Sequence, residues 1–441
     1  MKTSRLGGYI AWTLSLIPLL IWLITSPDQS TRPRAFDSLT SLGQLGALTG
    51  MAMLCVSFVL ASRLRFLEQW FGGLDKMYQE HHRLGKTAFF LILLHPVFHA
   101  LRFIPQNISH ALTFFLPLHH QSGINYGVYA FWLMMVLLFL TLYSTIAYDK
   151  WKLSHRFLGI VLMLGTIHML TVQDTPGRMV ALAQVPLLKG YMIGLAAMGM
   201  SSYGYKLLLL PLHASRQRYA VISVRKLNEE VLEVEMDPRG TPIRYNPGQF
   251  IFVTFYQEQL SRESHPFTLC MVPESDHLKI TVKALGDFTT QLYHTLQPGT
   301  LVKVEGPYGT FDFRKGSRRQ IWMAGGVGIA PFLSWARYLS HSENYDYDII
   351  FYYCVHSRGD AVYHEEFTKI SQQVKSLKLS LVCSEEQGHL HASDIKNDAV
   401  DLLERDIFMC GPKRLTGDMQ RQLKALGVSD ERIHYEDFEF K

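Results

Sequence analysis

The sequence predicts an all-α six-helix transmembrane domain, then a small β-barrel, then an α/β domain built on a parallel sheet. Three observations predict this. Nearly all the long apolar runs lie in residues 1–210 of the 441, and a helix needs about 20 apolar residues to cross a bilayer. From Tyr219 to about Phe313, short β-branched and aromatic runs are separated by turns. From Arg319 onward strand-like and helix-like runs alternate.

The spans are expected near residues 7–24, 43–62, 84–104, 127–147, 155–175 and 187–210. The start, Met1-Lys2-Thr3-Ser4-Arg5 followed by apolar residues, is like a signal peptide. It lacks a small-x-small cleavage site and further spans follow, so the expectation is a retained first helix. The third span carries His95 and His99 with Pro96 between them, and proline frees a backbone carbonyl and favours a kink. The basic residues give an orientation. Lys2, Arg5, Arg63, Arg65, Lys76, Arg83, Lys86, Lys150, Lys152, Arg156, Lys206, Arg216 and Arg218 share one side, against Arg32, Arg34, Arg102, Arg178 and Lys189 on the other. That excess places the amino terminus and the second half of the chain in the cytoplasm. The loop Pro105–Tyr126 is then external, with His110, His119 and His120 but no lysine or arginine.

Histidine is costly in hydrocarbon and needs a partner or a function there. The third helix carries His81, His82 and His95, and the fifth carries His155 and His168. His81 and His95 are 14 positions apart, about 40° out of phase on a helix and roughly 20 Å along it. His82 and His95 are 13 apart, about 140° out of phase, which favours His81. His155 and His168 are also 13 apart, so that pair needs helix curvature or cofactors gripped from different angles. Two such helices side by side offer two stacked pairs of imidazoles, a frame for two bis-histidine haems.

In the second half, residues 221–224, 231–234, 250–255 and 278–282 read as strands, and Asn246-Pro247-Gly248 as a turn. His265-Pro266-Phe267-Thr268 offers an aromatic and a hydroxyl to a flavin ring. Lys283-Ala284-Leu285-Gly286-Asp287-Phe288-Thr289 sets a basic residue, a glycine and hydroxyls before a helix, as a diphosphate needs. Gln320–Ala324 is a buried strand, and Gly325, Gly326, Gly328 and Pro331 lead from it into a helix. The spacing departs from G-x-G-x-x-G, and a plain tight turn is the alternative. Cys410-Gly411-Pro412 follows a later strand. Ser357 and Arg358, past the strand 349–354, suit the 2′-phosphate of NADPH, although Asp360 is near.

The net charge of +5 comes without a basic stretch interleaved with aromatics, so no nucleic-acid site is expected. The five cysteines form no CxxC, which excludes a zinc knuckle, an iron–sulfur set and c-type haem attachment. No EF-hand repeat or proline-rich docking segment occurs, and no protein partner is evident.

On these residues the chain resembles the six-helix ferric reductases and NADPH oxidases in their bacterial form, with a second half similar to the ferredoxin–NADP reductase fold. The likeness runs from the first helix to the chain end. It rests on the paired histidines, His-Pro-Phe-Thr at 265–268, Lys283–Thr289, Gly325–Pro331, Cys410-Gly411-Pro412 and Phe440 near the terminus. It implies a haem domain over residues 1–210, an FAD-binding barrel over 215–316 and an NAD(P)-binding domain over 317–441. The family has fourteen positions between ligands on the third helix and thirteen on the fifth, which implies His81, His95, His155 and His168 as haem ligands. His82 stands where the family often has a basic residue, suited to a haem propionate or to competing as a ligand. Phe440 is implied to stack on the flavin, and Cys410 to stand at the reacting centre beside it. The implied reaction carries electrons from cytoplasmic NADPH (or NADH) through FAD and two haems b to an outside acceptor. That acceptor is dioxygen or a ferric chelate, and the setting is a bacterial plasma membrane. Two other classes compete: a transporter with a nucleotide-sensing domain, and a membrane-anchored flavoprotein serving cytoplasmic partners.

Overall fold

The computed structural model describes residues 6–25, 36–105, 107–143, 148–172, 186–212, 217–341 and 346–436. The chain divides into two compact units. One comprises Lys2–Gly72 and Lys76–Leu210; the other is chiefly Pro211–Lys441, with Gly73–Asp75.

The first unit is helical: α1 Leu6–Thr25, α2 Phe36–Ala61, α3 Arg65–Phe71, α4 Leu74–Leu101, α5 Ile108–Thr113, α6 Ser122–Tyr143, α7 Tyr148–Arg156, α8 Leu158–Thr171 and α9 Pro186–Gly204. Among the described residues six helical stretches are long and apolar enough to cross a membrane, α7 and α8 together forming the fifth and α9 running on to Leu212. The third starts at Leu74, before the apolar run expected from residue 84. Its polar first turns are held in the helix by Glu80, which accepts from Trp12 Nε1 (3.1 Å) and pairs with Arg83 (2.7 Å). The helix also continues through Pro96.

Helices in lipid associate through close packing rather than hydrophobic burial, so small residues mark their contacts. On α2, Gly43, Gly46 and Gly50 lie against the α4 backbone: a Cβ on Gly46 would stand 2.9 Å from the Leu91 carbonyl oxygen, and one on Gly43 3.2 Å from that of His95. The fifth span is interrupted at Phe157, where Phe157 N bonds Ser154 O (3.0 Å) and Ile160 N bonds Phe157 O (2.9 Å). These are i→i+3 bonds, which wind the chain more tightly than an α-helix.

The second unit holds two sheets. β1 Arg218–Lys226, β2 Val231–Pro238, β3 Phe250–Tyr256, β4 His265–Thr268, β5 Leu278–Lys283 and β6 Leu301–Tyr308 form an antiparallel sheet in the order β4-β3-β6-β1-β2-β5. Its edges meet at a single bridge, Leu269 to Ile280, so the sheet is barrel-like rather than closed by a continuous ladder. Val234, Ile251, Val253, Ile280 and Val304 fill its interior, and the helix Asp287–Thr295 adds Leu292 to that core.

β7 Arg319–Gly325, β8 Asp348–Val355, β9 Leu377–Cys383, β10 Asp406–Cys410 and β11 Ile433–Glu436 form an all-parallel sheet in the order β11-β10-β7-β8-β9. Alternation along β7 sends Trp322 into an aromatic core with Phe332, Trp335 and Phe351, and Ile321 and Met323 into an aliphatic one with Ile407 and Met409. Both faces are therefore buried, as a parallel sheet requires. Trp322 and Trp335 are fully buried, and cutting either to alanine costs about 3–5 kcal/mol. A polar seam joins the sheets: Tyr363 donates to Glu233 Oε2 (3.0 Å) and lies 2.7 Å from Thr281 Oγ1, while Arg337, paired with Glu366 (2.7 Å) on its own side, donates across to Cys270 O.

Candidate functional site

In the membrane unit the histidines meet in pairs. The His81 and His155 rings are 6.1 Å apart between centroids, and His95 and His168 are also 6.1 Å apart. Two metal–nitrogen bonds of about 2 Å, with roughly 1 Å from each nitrogen to its ring centre, set imidazoles about 6 Å apart around one metal ion. The residues thus fit axial ligation of two haems. His95 and His99 are closer, at 4.7 Å and edge-to-face, too close for an ion between them. His82 is exposed, 5.7 Å from His81. Among the described residues no three or more His, Cys, Asp or Glu side chains converge as a metal-ion set.

Three of the four rings are aimed by backbone carbonyls. His81 Nδ1 donates to Ser57 O (2.9 Å), with Ser57 Oγ at 2.8 Å from the same nitrogen. His95 Nδ1 donates to Gly43 O (3.0 Å) and His168 Nδ1 to Gly123 O (2.9 Å). A proton fixed on Nδ1 leaves the Nε2 lone pair free for a metal and fixes the direction in which it points. His155 Nδ1 is buried and has no hydrogen-bond partner among the described residues; its ring stacks on Trp151 at 5.3 Å. The break at Phe157 bears on the thirteen-residue spacing. Tighter winding between His155 and His168 turns the second ring toward the phase of the first, which an unbroken α-helix would not do.

The loop 105–126 clusters its rings with those at the end of α4. His99 stacks with Phe114 (6.0 Å), Phe103 stacks with Phe114 (5.3 Å), and His110 meets Phe103 edge-on (4.5 Å). His119 is tied to Thr113 O (2.9 Å) and Asn125 (3.0 Å), while His120 is exposed.

In the second unit, alternation along β4 puts His265 and Phe267 on one face and Pro266 and Thr268 on the other. The aromatic and the hydroxyl therefore do not face one ring from the same side. His265 stacks on Phe288 (3.9 Å) and pairs with Glu263 (2.9 Å). Thr268 Oγ1 is buried and, among the described residues, lacks a partner, the condition of a hydroxyl that a flavin edge would complete. Thr289 Oγ1 accepts from the Leu285 and Gly286 amides (3.0 Å each), shaping the turn at the start of the helix Asp287–Thr295. Phe440 lies outside the described residues.

Lys283 pairs with Glu230 (3.1 Å) and, with Gly326, Val327, Tyr353 and Asp360, lines one cleft. The two glycine motifs meet at the carboxyl ends of neighbouring strands β7 and β10. A Cβ on Gly328 would stand 2.4 Å from the Cys410 carbonyl oxygen, and one on Gly411 2.9 Å from Gly325 Cα. Gly326 has φ +54°, a turn conformation that favours glycine. Pro331 opens the helix Ala330–Ser340, where its fixed φ suits the first turn. This is the strand-end crevice where parallel sheets bind nucleotides. Cys410 is buried at its edge. Ser357 Oγ donates to Asp360 Oδ2 (2.9 Å), and Arg358 is held by both oxygens of Glu386 (2.8 and 3.0 Å). The Ser357 amide, which also donates to Asp360 Oδ2 (3.0 Å), and the Ser357 hydroxyl hold the Asp360 carboxyl below the ordinary carboxylate value despite partial burial.

Sequence reasoning missed Gly43, Ser57, Gly123 and Gly127. The first three act through carbonyls, which every residue has. Gly127 acts through absence: a Cβ there would stand 2.6 Å from His168 Nδ1. The glycine spacing on α2 and α6 was the available signal.

Family models match three stretches: a ferric reductase like transmembrane component over residues 45–166, an FAD-binding domain over 216–312 and an oxidoreductase NAD-binding domain over 322–421. The glycine betaine monooxygenase reductase subunit of Pseudomonas aeruginosa is 28% identical over 213 residues, 44% of this chain and 56% of that one. An NADPH oxidoreductase of Mycobacterium tuberculosis is 26% identical over 237 residues, 52% of this chain and 62% of that one. The match thus spans little more than half the length of these curated relatives. Among solved structures, the flavohemoglobin of Malassezia yamatoensis aligns with TM-score 0.50 and 15% identity, over 92% of this chain and 99% of that one, a likeness of fold alone. A ferric reductase like transmembrane component, an FAD-binding domain and an oxidoreductase NAD-binding domain thus follow one another along a multi-pass membrane chain, the arrangement of a ferric reductase/NADPH oxidase-like fusion.

Proposed function

We propose that this oxidoreductase passes electrons from NAD(P)H through FAD and two bis-histidine haems b to an acceptor across the membrane, with dioxygen giving superoxide. The observation that carries the reading is the doubled geometry of the membrane histidines, two pairs at 6.1 Å on the same two spans. Haem supplies reversible one-electron chemistry and FAD the conversion of a hydride into single electrons. The chain's part is to hold and orient. His81 with His155, and His95 with His168, are the proposed axial ligands. The carbonyls of Ser57, Gly43 and Gly123 keep three of them in one tautomer.

In the second unit, His265, Pro266, Phe267, Thr268, Gly286, Thr289 and Phe440 are the proposed flavin contacts. Lys283 is proposed with them, at the flavin diphosphate. Gly325, Gly326, Gly328, Pro331, Gly411 and Pro412 bring backbone close to a nicotinamide nucleotide, and Cys410 is proposed at its reacting end. Ser357 and Arg358 are proposed at the ribose end. The division of labour assigns the haems to residues 1–210, flavin to 215–316 and nucleotide to 317–441, with the amino terminus and the second half cytoplasmic in a bacterial plasma membrane. Dioxygen is favoured by the fusion of flavin and nicotinamide domains to the relay. A second reading, ferric-chelate reduction by the same relay, is supported by the match of residues 45–166 to the ferric reductase component.

The test is a reduced-minus-oxidised visible spectrum of the detergent-purified protein after NADPH addition, repeated for His81→Ala and His82→Ala. Low-spin b-type bands, halved or lost in the first variant and kept in the second, are expected. A folded native protein without such bands would refute the relay, and damage confined to His82→Ala would reassign the ligand.

A further inference from the structure

β8 and β9 are neighbours in the parallel sheet, and their last residues, Val355 and Cys383, are register partners. The loops that leave them therefore run side by side, joined by Glu385 N donating to His356 O (3.1 Å). One loop carries Ser357 and Arg358, the groups suited to a 2′-phosphate. The other carries Glu386, whose carboxylate accepts two parallel bonds from the Arg358 guanidinium (2.8 and 3.0 Å). This bidentate geometry is the one a phosphate would use. Ser357 is likewise engaged, by Asp360.

The ion pair is exposed, the side chains being 73% and 48% accessible, so opening it costs little. The charge of Glu386 stays nonetheless. A 2′-phosphate seated on Arg358 brings roughly two negative charges to within about 5 Å of that carboxylate, a repulsion worth about tenfold in binding even in water. A ribose hydroxyl brings no charge and meets no such repulsion.

We propose that Glu386 is a specificity residue that competes with the coenzyme 2′-phosphate for Arg358, so that the native chain is held back from preferring NADPH over NADH. The proposal rests on the nucleotide assignment made above.

The test titrates the full-length, detergent-purified protein with adenosine 2′,5′-bisphosphate and with 5′-AMP by calorimetry, in native, Glu386→Gln and Arg358→Gln forms and the double variant. Oxidation of NADH and NADPH is followed in parallel with ferricyanide. Neutralising Glu386 tightens the bisphosphate about tenfold and leaves 5′-AMP unchanged. It also raises the NADPH-to-NADH ratio of kcat/KM through KM. The gain vanishes in the double variant and shrinks at high salt. Equal bisphosphate affinity in native and Glu386→Gln proteins that both oxidise NADH overturns the role of Glu386 and leaves the nucleotide site standing. A native protein that binds neither probe and oxidises neither coenzyme overturns both.

Discussion

Gly127 on α6 faces the imidazole of His168, and adding one methyl group there tests the His95–His168 pair without touching a proposed ligand. In Gly127→Ala the new Cβ would stand 2.6 Å from Nδ1 and 2.8 Å from Cε1. Ordinary carbon contacts begin at about 3.5 Å, so the ring must retreat by about 1 Å. That retreat either breaks the 2.9 Å bond from Nδ1 to Gly123 O or opens the 6.1 Å spacing to His95. Overpacking of this kind costs about 1–3 kcal/mol, which is about five- to 150-fold in affinity for whatever the pair holds. The assay is the haem-to-protein ratio with a redox titration of the visible bands. Gly127→Ala is expected to fall toward one haem per chain, with the surviving band that of the His81–His155 pair. Gly194→Ala is the control, because a Cβ there meets nothing within 4 Å. Two haems with unaltered midpoint potentials in Gly127→Ala would refute the assignment of His168 and the packing argument together.

Gly328→Ala is expected to slow NAD(P)H-dependent flavin reduction at least about tenfold, since a 2.4 Å contact with the Cys410 carbonyl must be relieved by parting the two loops. Chemical reduction of the haems by dithionite should be unchanged, and stopped-flow absorbance separates the two. The pH dependence of stability follows from Asp406. Burial pushes its carboxyl up, but donors from His434 (2.7 Å) and Ser317 (2.8 Å) outweigh this and hold it below the ordinary carboxylate value. Its contribution is therefore full above about pH 4 and lost as pH falls through the lower folded-state value. Thermal melts of native and Asp406→Asn proteins should differ most near neutral pH and converge in acid.

What was legible in the sequence was whatever a side chain announces. The six apolar runs, the histidine spacings and the glycine motifs at strand ends stand out by residue type, and the six spans and the two kinds of sheet follow from them. The start of α4 was misjudged because a hydropathy pattern sees the charged residues around Glu80 as outside the helix, whereas Trp12 and Arg83 hold them in it. The difficulty of the thirteen-residue spacing came from assuming one unbroken α-helix; the interruption at Phe157 carries no proline, and a lone Gly159 within its turn is not enough to mark a break. Ser357 and Arg358 suggested a phosphate site, with Asp360 visible three residues beyond Ser357, but the carboxylate that holds Arg358 is on another loop: Glu386 reaches it only because β8 and β9 are neighbours in the sheet.

The anchors on α2 and the histidines on α4 form a matched ruler. Ser57 and Gly43 are 14 residues apart, as are His81 and His95, and the two helices run in opposite directions. Each anchor therefore faces its own histidine in a single register, and one residue inserted between His81 and His95 would misalign one rung while leaving the other in place. Length can change within this pair only by the same step on both helices. Family members that adapt to thicker or thinner bilayers should carry their insertions outside residues 43–57 and 81–95, at the helix ends and in the loops.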